Sequence, residues 1–199
     1  MPQFPSPTKE ELSALEPLDR LALHNIVLVA TARQADDAFE ALAACIVLGF
    51  DTESKPTFFR DQVSEGPHVV QLSTPHKAYV FQLFEARCRE VVAALLESET
   101  IIKVGFGLAG DHQQIRRTLG VEPRNVLDLN VVFRKRGYAK EIGVRGAVAV
   151  LFNRRFLKSR KATTSNWANR HLTESQLVYA ANDAWAALQV FEALGSPAA

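Results

Sequence analysis

The sequence has little cysteine, no long apolar run and no leader-like beginning. Its 199 residues include 2 cysteines, Cys45 and Cys88, and neither shows the C-x-x-C spacing of a metal site. No apolar run approaches the ~20 residues of a membrane-spanning helix, and the first residues lack the basic-then-apolar pattern of a signal peptide. These absences argue against a disulfide framework and a membrane span, so we expect a soluble, intracellular, cytoplasmic protein with inert thiols.

The length and apolar content suit one globular domain. A chain of 199 residues, 47% of them hydrophobic, can bury a core of ordinary size. Residues 1–24 combine prolines with a short amphipathic pattern, and we expect an N-terminal lead-in there. A single domain is predicted over 25–195.

The net charge of +1 conceals an uneven distribution along the chain. Between 134 and 170, 11 lysines and arginines accompany a single acid, whereas the remainder holds 12 basic and 21 acidic residues. A basic face of this kind is what contact with nucleic-acid phosphates requires. A solvated basic surface without a partner remains the alternative.

Six short apolar segments predict the strands of one sheet. They are 25–31, 45–53, 68–74, 77–83, 101–106 and 125–129. Helices are predicted over 32–44, 87–97, 108–119 and 173–194. Strands in meander order come first, with a hairpin at Pro75 and His76, and alternation of strands with helices follows. This order indicates an α/β protein with a mixed sheet flanked by helices.

Two carboxylates end the most apolar of these strands. Asp51 and Glu53 are two residues apart, so the strand period places both side chains on one face. Two like charges at this spacing are unfavourable unless they share a cation or a proton, which indicates a divalent metal. A solvated pair in a loop is the alternative.

The last predicted helix carries a second pair of polar side chains. Tyr179 and Asp183 are four residues apart and therefore share one helical face. Their neighbours are small or apolar, so the carboxylate needs a partner within a mostly buried helix. The alternatives are an arginine partner for Asp183 and a purely structural role for Tyr179.

A glycine-rich loop lies between a strand and a helix. The letters GFGLAG at 105–110 fit the dinucleotide-binding pattern, and Asp128 stands at a suitable distance for a ribose. Against this interpretation, Asp111 directly after the third glycine would bring a negative charge toward a pyrophosphate, and few residues remain for further βαβ units. Asp111 is therefore a candidate site residue, unless it only favours the helix N-terminus.

These motifs together resemble the tyrosine branch of the DEDD superfamily of 3′-to-5′ exonucleases. D-x-E, then G-x-x-x-x-x-D, then Y-x-x-x-D follow in the order of that family, over about 26–194. The stretch 163–188 looks most like the exonuclease domain of the Werner syndrome helicase and, less closely, ribonuclease D. The resemblance implies a ribonuclease H-like fold, with a mixed five-stranded sheet flanked by helices and the site at its C-terminal strand ends.

The resemblance also implies the site and its chemistry. The implied metal ligands are Asp51, Glu53, Asp111 and Asp183, which would hold two divalent ions, Mg²⁺ or Mn²⁺. Tyr179 would orient the attacking water, and 5′-mononucleotides would leave the 3′ end of DNA or RNA. Ser54 departs from the pattern, because the Werner-type domain has a bulky aromatic there.

The basic segment supplies the candidate nucleic-acid contacts. They are Arg154, Arg155, Lys158, Arg160 and Lys161, which precede the last helix and border the expected path of the substrate strand. The expected partner is single-stranded or 3′-ended nucleic acid, with a partner protein for targeting as a further possibility, and a monomer is favoured. A non-catalytic binding module and a dinucleotide-dependent oxidoreductase stay open as alternatives.

Overall fold

A computed structural model of the chain describes residues 4–57, 63–138 and 141–195. The strands are β1 (Ile26–Val29), β2 (Val47–Glu53), β3 (Val69–Ser73), β4 (Ala78–Gln82), β5 (Ile102–Gly105) and β6 (Val126–Asp128). The helices are α1 (Lys9–Ala14), α2 (Ala32–Leu42), α3 (Ala86–Glu97), α4 (Ala109–Leu119), α5 (Leu129–Lys135), α6 (Gly143–Phe152), α7 (Arg160–Thr163) and α8 (Glu174–Ala193).

The strands form one mixed sheet in the order β1-β4-β3-β2-β5-β6. β3 pairs antiparallel with β2 and β4, whereas the pairs β1–β4, β2–β5 and β5–β6 are parallel. The predicted α/β class and mixed sheet are confirmed, but the expected number of five strands is wrong, since the sheet has 6. The number is higher because both short edge segments, β1 and β6, pair with their neighbours over their whole length.

The sheet lies between two layers of helices, and β2 at its centre faces both. Leu48 and Phe50 belong to the core that the sheet forms with α2 and α3. The alternate residues of β2, starting with Gly49, point to the opposite face of the sheet. This face is covered by the layer in which α8 packs beside α5 and α6. The strand period thus gives Gly49, Asp51 and Glu53 a common face toward α8.

A close approach between β2 and α8 brings strand and helix together. A Cβ added at Gly49 would overlap the Ala184 carbonyl oxygen and Ser73 Oγ, and would lie 2.9 Å from the Ala184 carbonyl carbon. Ala180 and Ala181 in the same helix are also fully buried. Small residues on both sides therefore let the helix backbone rest directly on the central strand.

The segment before β1 packs against the rest of the chain. The amide of Leu21 donates to Asn182 Oδ1 at 2.8 Å, which ties the segment to α8. Pro17 forms a parallel bridge with Arg155. The side chain of Leu21 is buried, so the predicted lead-in is anchored at the helix that carries Asp183.

The cysteines are free, as the sequence led us to expect. Cys88 is buried and Cys45 is half-buried, and neither forms a disulfide. Burial raises the pKa of the Cys88 thiol to about 11 and also raises that of Cys45. Both thiols are therefore protonated near neutral pH and weakly nucleophilic.

Among the described helices, none combines the length and the apolar character that crossing a membrane requires.

Gly49→Ala is predicted to destabilise the protein by about 3 kcal/mol, since forcing a methyl group into a packed contact displaces backbone as well as side chains. Gly110→Ala is the matched control, because a Cβ there meets no atom within 4 Å. The control is expected to change stability by less than about 1 kcal/mol, in the stabilising direction. Urea unfolding of both variants measures the difference, and equal midpoints would contradict the close contact between Gly49 and α8.

Candidate active site

Three carboxylates meet where the C-terminal end of β2 faces α8. Asp51, Glu53 and Asp183 each offer an oxygen, and these oxygens lie within 4.8 Å of one another. The strand period aligns the first two, and the contact at Gly49 brings Asp183, the neighbour of Ala184, against them. The structure thus brings together three of the four predicted metal ligands.

Burial makes this cluster electrostatically costly. Desolvation, followed by the charges of Asp183 and Asp111, raises the pKa of Asp51 well above its usual value. Desolvation and the nearby Asp51 and Asp183 carboxylates raise the pKa of Glu53 to about 9. The pKa of Asp183 is also raised, chiefly by burial. Such a cluster favours a bound cation or a shared proton.

One cation of the protein already lies in the cluster. Lys158 Nζ is 2.7 Å from Asp183 Oδ2 and 5.2 Å from the centre of the Tyr179 ring. Burial alone would lower the pKa of Lys158, but the adjacent Asp183 and Asp51 carboxylates raise it above its usual value. The ammonium group of Lys158 is thus the counter-ion of the carboxylates, and its contact with nucleic acid stays a prediction.

The donor atoms fit a hard divalent cation. Both oxygens of Asp183 are buried and receive no aligned hydrogen bond from the described residues, despite the ion pair with Lys158. Gln71, directly opposite Asp51 in the β2–β3 pair, is also buried, and its amide atoms lack partners within the same described set. Unsatisfied oxygen ligands of this kind suit Mg²⁺ or Mn²⁺.

The fourth predicted ligand, Asp111, stands apart from the other three. It lies in the first turn of α4, and its Oδ1 accepts a hydrogen bond from Thr52 Oγ1. Thr52 lies between Asp51 and Glu53 and points to the other face of the strand. Burial raises the pKa of Asp111, but its oxygens are outside the three-carboxylate cluster. Its role as a ligand stays a prediction.

Tyr179 is held firmly beside the cluster. The residue is 7% exposed, and Trp167 packs against it with ring centres 5.9 Å apart. Thr163 Oγ1 donates to the Tyr179 hydroxyl oxygen at 3.1 Å. Burial and the nearby Asp183 charge raise the pKa of the tyrosine above its usual value. The phenol is therefore a protonated hydrogen-bond donor at neutral pH.

The glycine-rich loop is organised by the protein itself. Asp128 accepts hydrogen bonds from the amides of Gly107 and Leu108 at 3.1 and 3.0 Å and caps α5 through the amide of Asn130. A pyrophosphate would need these same loop amides. The dinucleotide interpretation is therefore not supported, because the acid expected at a ribose instead occupies the phosphate-binding groups.

Ser54 has a defined contact at the position where the sequence departs from the family pattern. Its hydroxyl donates to Gln114 Oε1 of α4 at 2.6 Å. A Cβ at Gly66 would also approach Ser54 Cβ to 2.6 Å. The chain is thus closely packed around Ser54, and a bulky aromatic side chain would not fit at that position.

The other predicted nucleic-acid contacts have different surroundings. Arg155 is half-buried, and its Nη1 donates to the Ser13 carbonyl at 3.0 Å. Arg154 is exposed and, among the described residues, donates to the adjacent Asn153 carbonyl at 3.0 Å. Arg160 and Lys161 are exposed on α7. Their contact with nucleic acid stays a prediction.

Sequence reasoning missed several residues that shape the site. It did not identify Thr163 as the partner of Tyr179, Thr52 as the partner of Asp111, or Gln71 beneath the carboxylates. Of these, Gln71 carried a signal, because a polar residue stands among apolar neighbours in the predicted strand 68–74. The two threonines carried none, since their partners are distant in the sequence.

The comparison with known proteins identifies related sequences. A family model described as 3′-5′ exonuclease matches residues 26–197. The bifunctional 3′-5′ exonuclease/ATP-dependent helicase WRN of Mus musculus is 30% identical over 152 residues, which are 75% of this chain and 11% of that protein. A 3′-5′ exonuclease of Arabidopsis thaliana is 28% identical over 149 residues, 74% of this chain and 52% of that protein. The chain therefore spans only part of these relatives.

Solved structures share the fold. The Nibbler EXO domain of Aedes aegypti superposes with a TM-score of 0.75 at 21% identity, covering 88% of this chain and 89% of that one. RNase D of Escherichia coli gives a TM-score of 0.74 at 20% identity, covering 86% and 45%. RNase D of Trypanosoma brucei in complex with RNA U12 gives 0.76 at 21% identity, covering 86% and 63%.

Lys158→Met is predicted to destabilise the metal-free protein at pH 8. Breaking a buried ion pair costs about 3–5 kcal/mol, and we expect roughly 2 kcal/mol here because the lysine is partly exposed. A divalent ion should recover this loss, so Mg²⁺ or Mn²⁺ should raise the melting temperature of the variant more than that of the wild type.

Lys161→Met is the control for this experiment, since Lys161 is exposed in the same segment. It should change stability by less than about 0.5 kcal/mol. Thermal unfolding with and without metal makes the comparison. A Lys158→Met protein as stable as the wild type without metal would contradict the role of counter-ion.

Proposed function

The chain belongs to the 3′-5′ exonuclease family, and we propose that it hydrolyses phosphodiester bonds from the 3′ end of DNA or RNA and releases 5′-mononucleotides by a two-metal mechanism. The observation that carries this proposal is the meeting of Asp51, Glu53 and Asp183 at one point, with Tyr179 buried beside them. Carboxylates gathered in this way can hold divalent cations close to a substrate phosphate.

The cation positions follow from the arrangement of the carboxylates. We assign Asp51, Glu53 and Asp183 to one divalent ion, and Asp51 with Asp111 to a second. When bound, such ions supply a nucleophilic water at neutral pH and relieve the charge on the phosphate. In this assignment Asp51 would contribute to both sites, and added positive charge would be favourable there because burial and the charges of Asp183 and Asp111 raise the pKa of Asp51.

The chain's own residues orient the reacting groups. Tyr179 keeps its proton at neutral pH and holds the attacking water in line by a hydrogen bond. Thr163 and Trp167 fix the direction of the phenol. Lys158, 2.7 Å from Asp183, can place its ammonium group on a phosphate oxygen of the substrate. Each of these contributions is positioning or charge stabilisation.

The proposed partner is a nucleic-acid strand with a free 3′ end. The basic segment supports it, because its 11 cations between 134 and 170 provide charge for phosphates. One structural neighbour was solved in complex with RNA, and the names of the mouse and Arabidopsis relatives both include 3′-5′ exonuclease. We propose a monomer that acts in the cytoplasm on DNA or RNA, with targeting by a partner protein as a further possibility.

An end-labelled strand tests the proposal directly. A linear DNA or RNA oligonucleotide with Mg²⁺ or Mn²⁺ should give a ladder that shortens from the 3′ end and a 5′-mononucleotide product. EDTA should abolish the ladder, and Asp51→Asn should leave a folded but inactive protein. Cleavage of a circular single strand, or activity that persists in EDTA, would contradict a metal-dependent exonuclease.

Tyr179→Phe tests the positioning of the water. The substitution removes one hydroxyl group and keeps the ring packed on Trp167, so the fold should be retained. The turnover number should fall about 10²-fold because the water loses its orienting group, while KM changes little. Tyr138→Phe, which alters a half-buried tyrosine packed against Phe133, is the control. Equal turnover in the two variants would mean that the Tyr179 hydroxyl does not orient the water and that the residue has a structural role.

A further inference from the structure

A cationic cavity lies beside the carboxylate cluster. It measures ≈480 Å³ and opens between α1 and the segment that links α6 to α7. Its lining contains Lys9, Arg20, Arg145, Arg155 and Lys158, and none of the described carboxylate residues is part of that lining. Five cations around one cavity create a strongly positive potential in a concave site, which attracts anions.

Most of these cations lack a charged partner. Within 4–57, 63–138 and 141–195, Lys158 is the only one of the five that forms an ion pair. The Nε of Arg155 is buried and has no hydrogen-bond acceptor in the same ranges. Unpaired cations and an unsatisfied guanidinium nitrogen are costly to keep together unless an anion binds there.

The cations of the lead-in line this cavity, whereas its acids do not. Between 4 and 24 the chain carries two cations, Lys9 and Arg20, and both line the cavity. The four acids of the same stretch do not line it; they are Glu10, Glu11, Glu16 and Asp19. One of them, Glu11, instead accepts from the Thr8 amide and caps α1. An acidic segment thus contributes only positive charge to the cavity.

The cavity adjoins the candidate active site through Lys158. Lys158 lines it and also touches Asp183. A second hollow of ≈300 Å³ shares Arg20, Leu157 and Ser159 with the first and extends to Tyr179. An anion in the cavity would therefore lie next to the reacting phosphate, along a path marked by Tyr179, Lys158 and Arg20.

Backbone hydrogen bonds fix the walls of the cavity before a ligand binds. The amide of Arg155 donates to the Glu16 carbonyl at 2.8 Å, and the amide of Leu18 donates to the Arg155 carbonyl at 2.9 Å. Leu21 is held by Asn182 of α8. The lead-in cations are thus carried on a fixed segment, which lowers the entropy lost when a ligand binds.

We propose that this cavity binds phosphodiester groups of the substrate strand, on the 5′ side of the nucleotide being removed. The inference rests on the proposed exonuclease function and adds Lys9, Arg20 and Arg145 to the strand-binding surface. The family match begins at residue 26, so the two lead-in cations lie outside the part of the chain that it covers. The lead-in is then part of the substrate site.

The test compares two double variants of equal charge change. Lys9→Gln with Arg20→Gln removes the lead-in cations of the cavity, whereas Arg33→Gln with Lys77→Gln removes two exposed cations that do not line it and lie outside the basic stretch 134–170. Binding of a single-stranded oligonucleotide is measured in EDTA over a range of salt concentrations. Each lost phosphate contact makes the slope of log affinity against log salt shallower by about 0.7, so the first variant should lose about 1.4 and the second almost nothing.

Substrate length gives an independent readout. The loss of kcat/KM caused by Lys9→Gln with Arg20→Gln should grow at least tenfold from a dinucleotide to a twelve-nucleotide strand. An unchanged salt slope, the same change in both double variants, or an equal loss at every length would overturn the proposal. Because binding is measured without cleavage, an inactive wild type would contradict the exonuclease function alone, and the slopes would still decide the role of the cavity.

Discussion

The contact between Gly49 and the backbone of α8 is the constraint on which the site depends. A side chain at this position would collide with the Ala184 carbonyl group and Ser73, so only glycine lets the helix rest on the central strand. Because Asp183 precedes Ala184, the same contact presses its carboxylate against Asp51. Packing at one buried position therefore forces together charges that repel each other.

The protein offsets this repulsion with charges of its own. Lys158 pairs with Asp183, and burial keeps the pKa of Glu53 near 9, so that protons are retained when cations are absent. Neither solution satisfies the oxygens of Asp183, which receive no aligned hydrogen bond from the described residues. The cluster is thus costly to bury, as expected where stability is given up for binding and catalysis.

Local periodicity predicted the pairs of site residues but not their meeting. The strand period placed Asp51 with Glu53, and the helical period placed Tyr179 with Asp183. Contact between the two pairs joins residues more than a hundred positions apart, and only the family resemblance foresaw it. Lys158 could not be distinguished from Arg160 or Lys161 by sequence, since all are cations in one polar stretch and only packing selects one.

The position of Asp128 shows how a short motif can suggest a binding site whose groups are already used by the protein. The pattern GFGLAG occurs between a strand and a helix, as a nucleotide cradle requires, and its amides do bind oxygens. Those oxygens come from the protein, because β6 carries Asp128 alongside Gly105 in the sheet. The loop amides are therefore occupied by the protein itself, and the loop leads into α4, whose first turn places Asp111 where it accepts a hydrogen bond from Thr52 of β2.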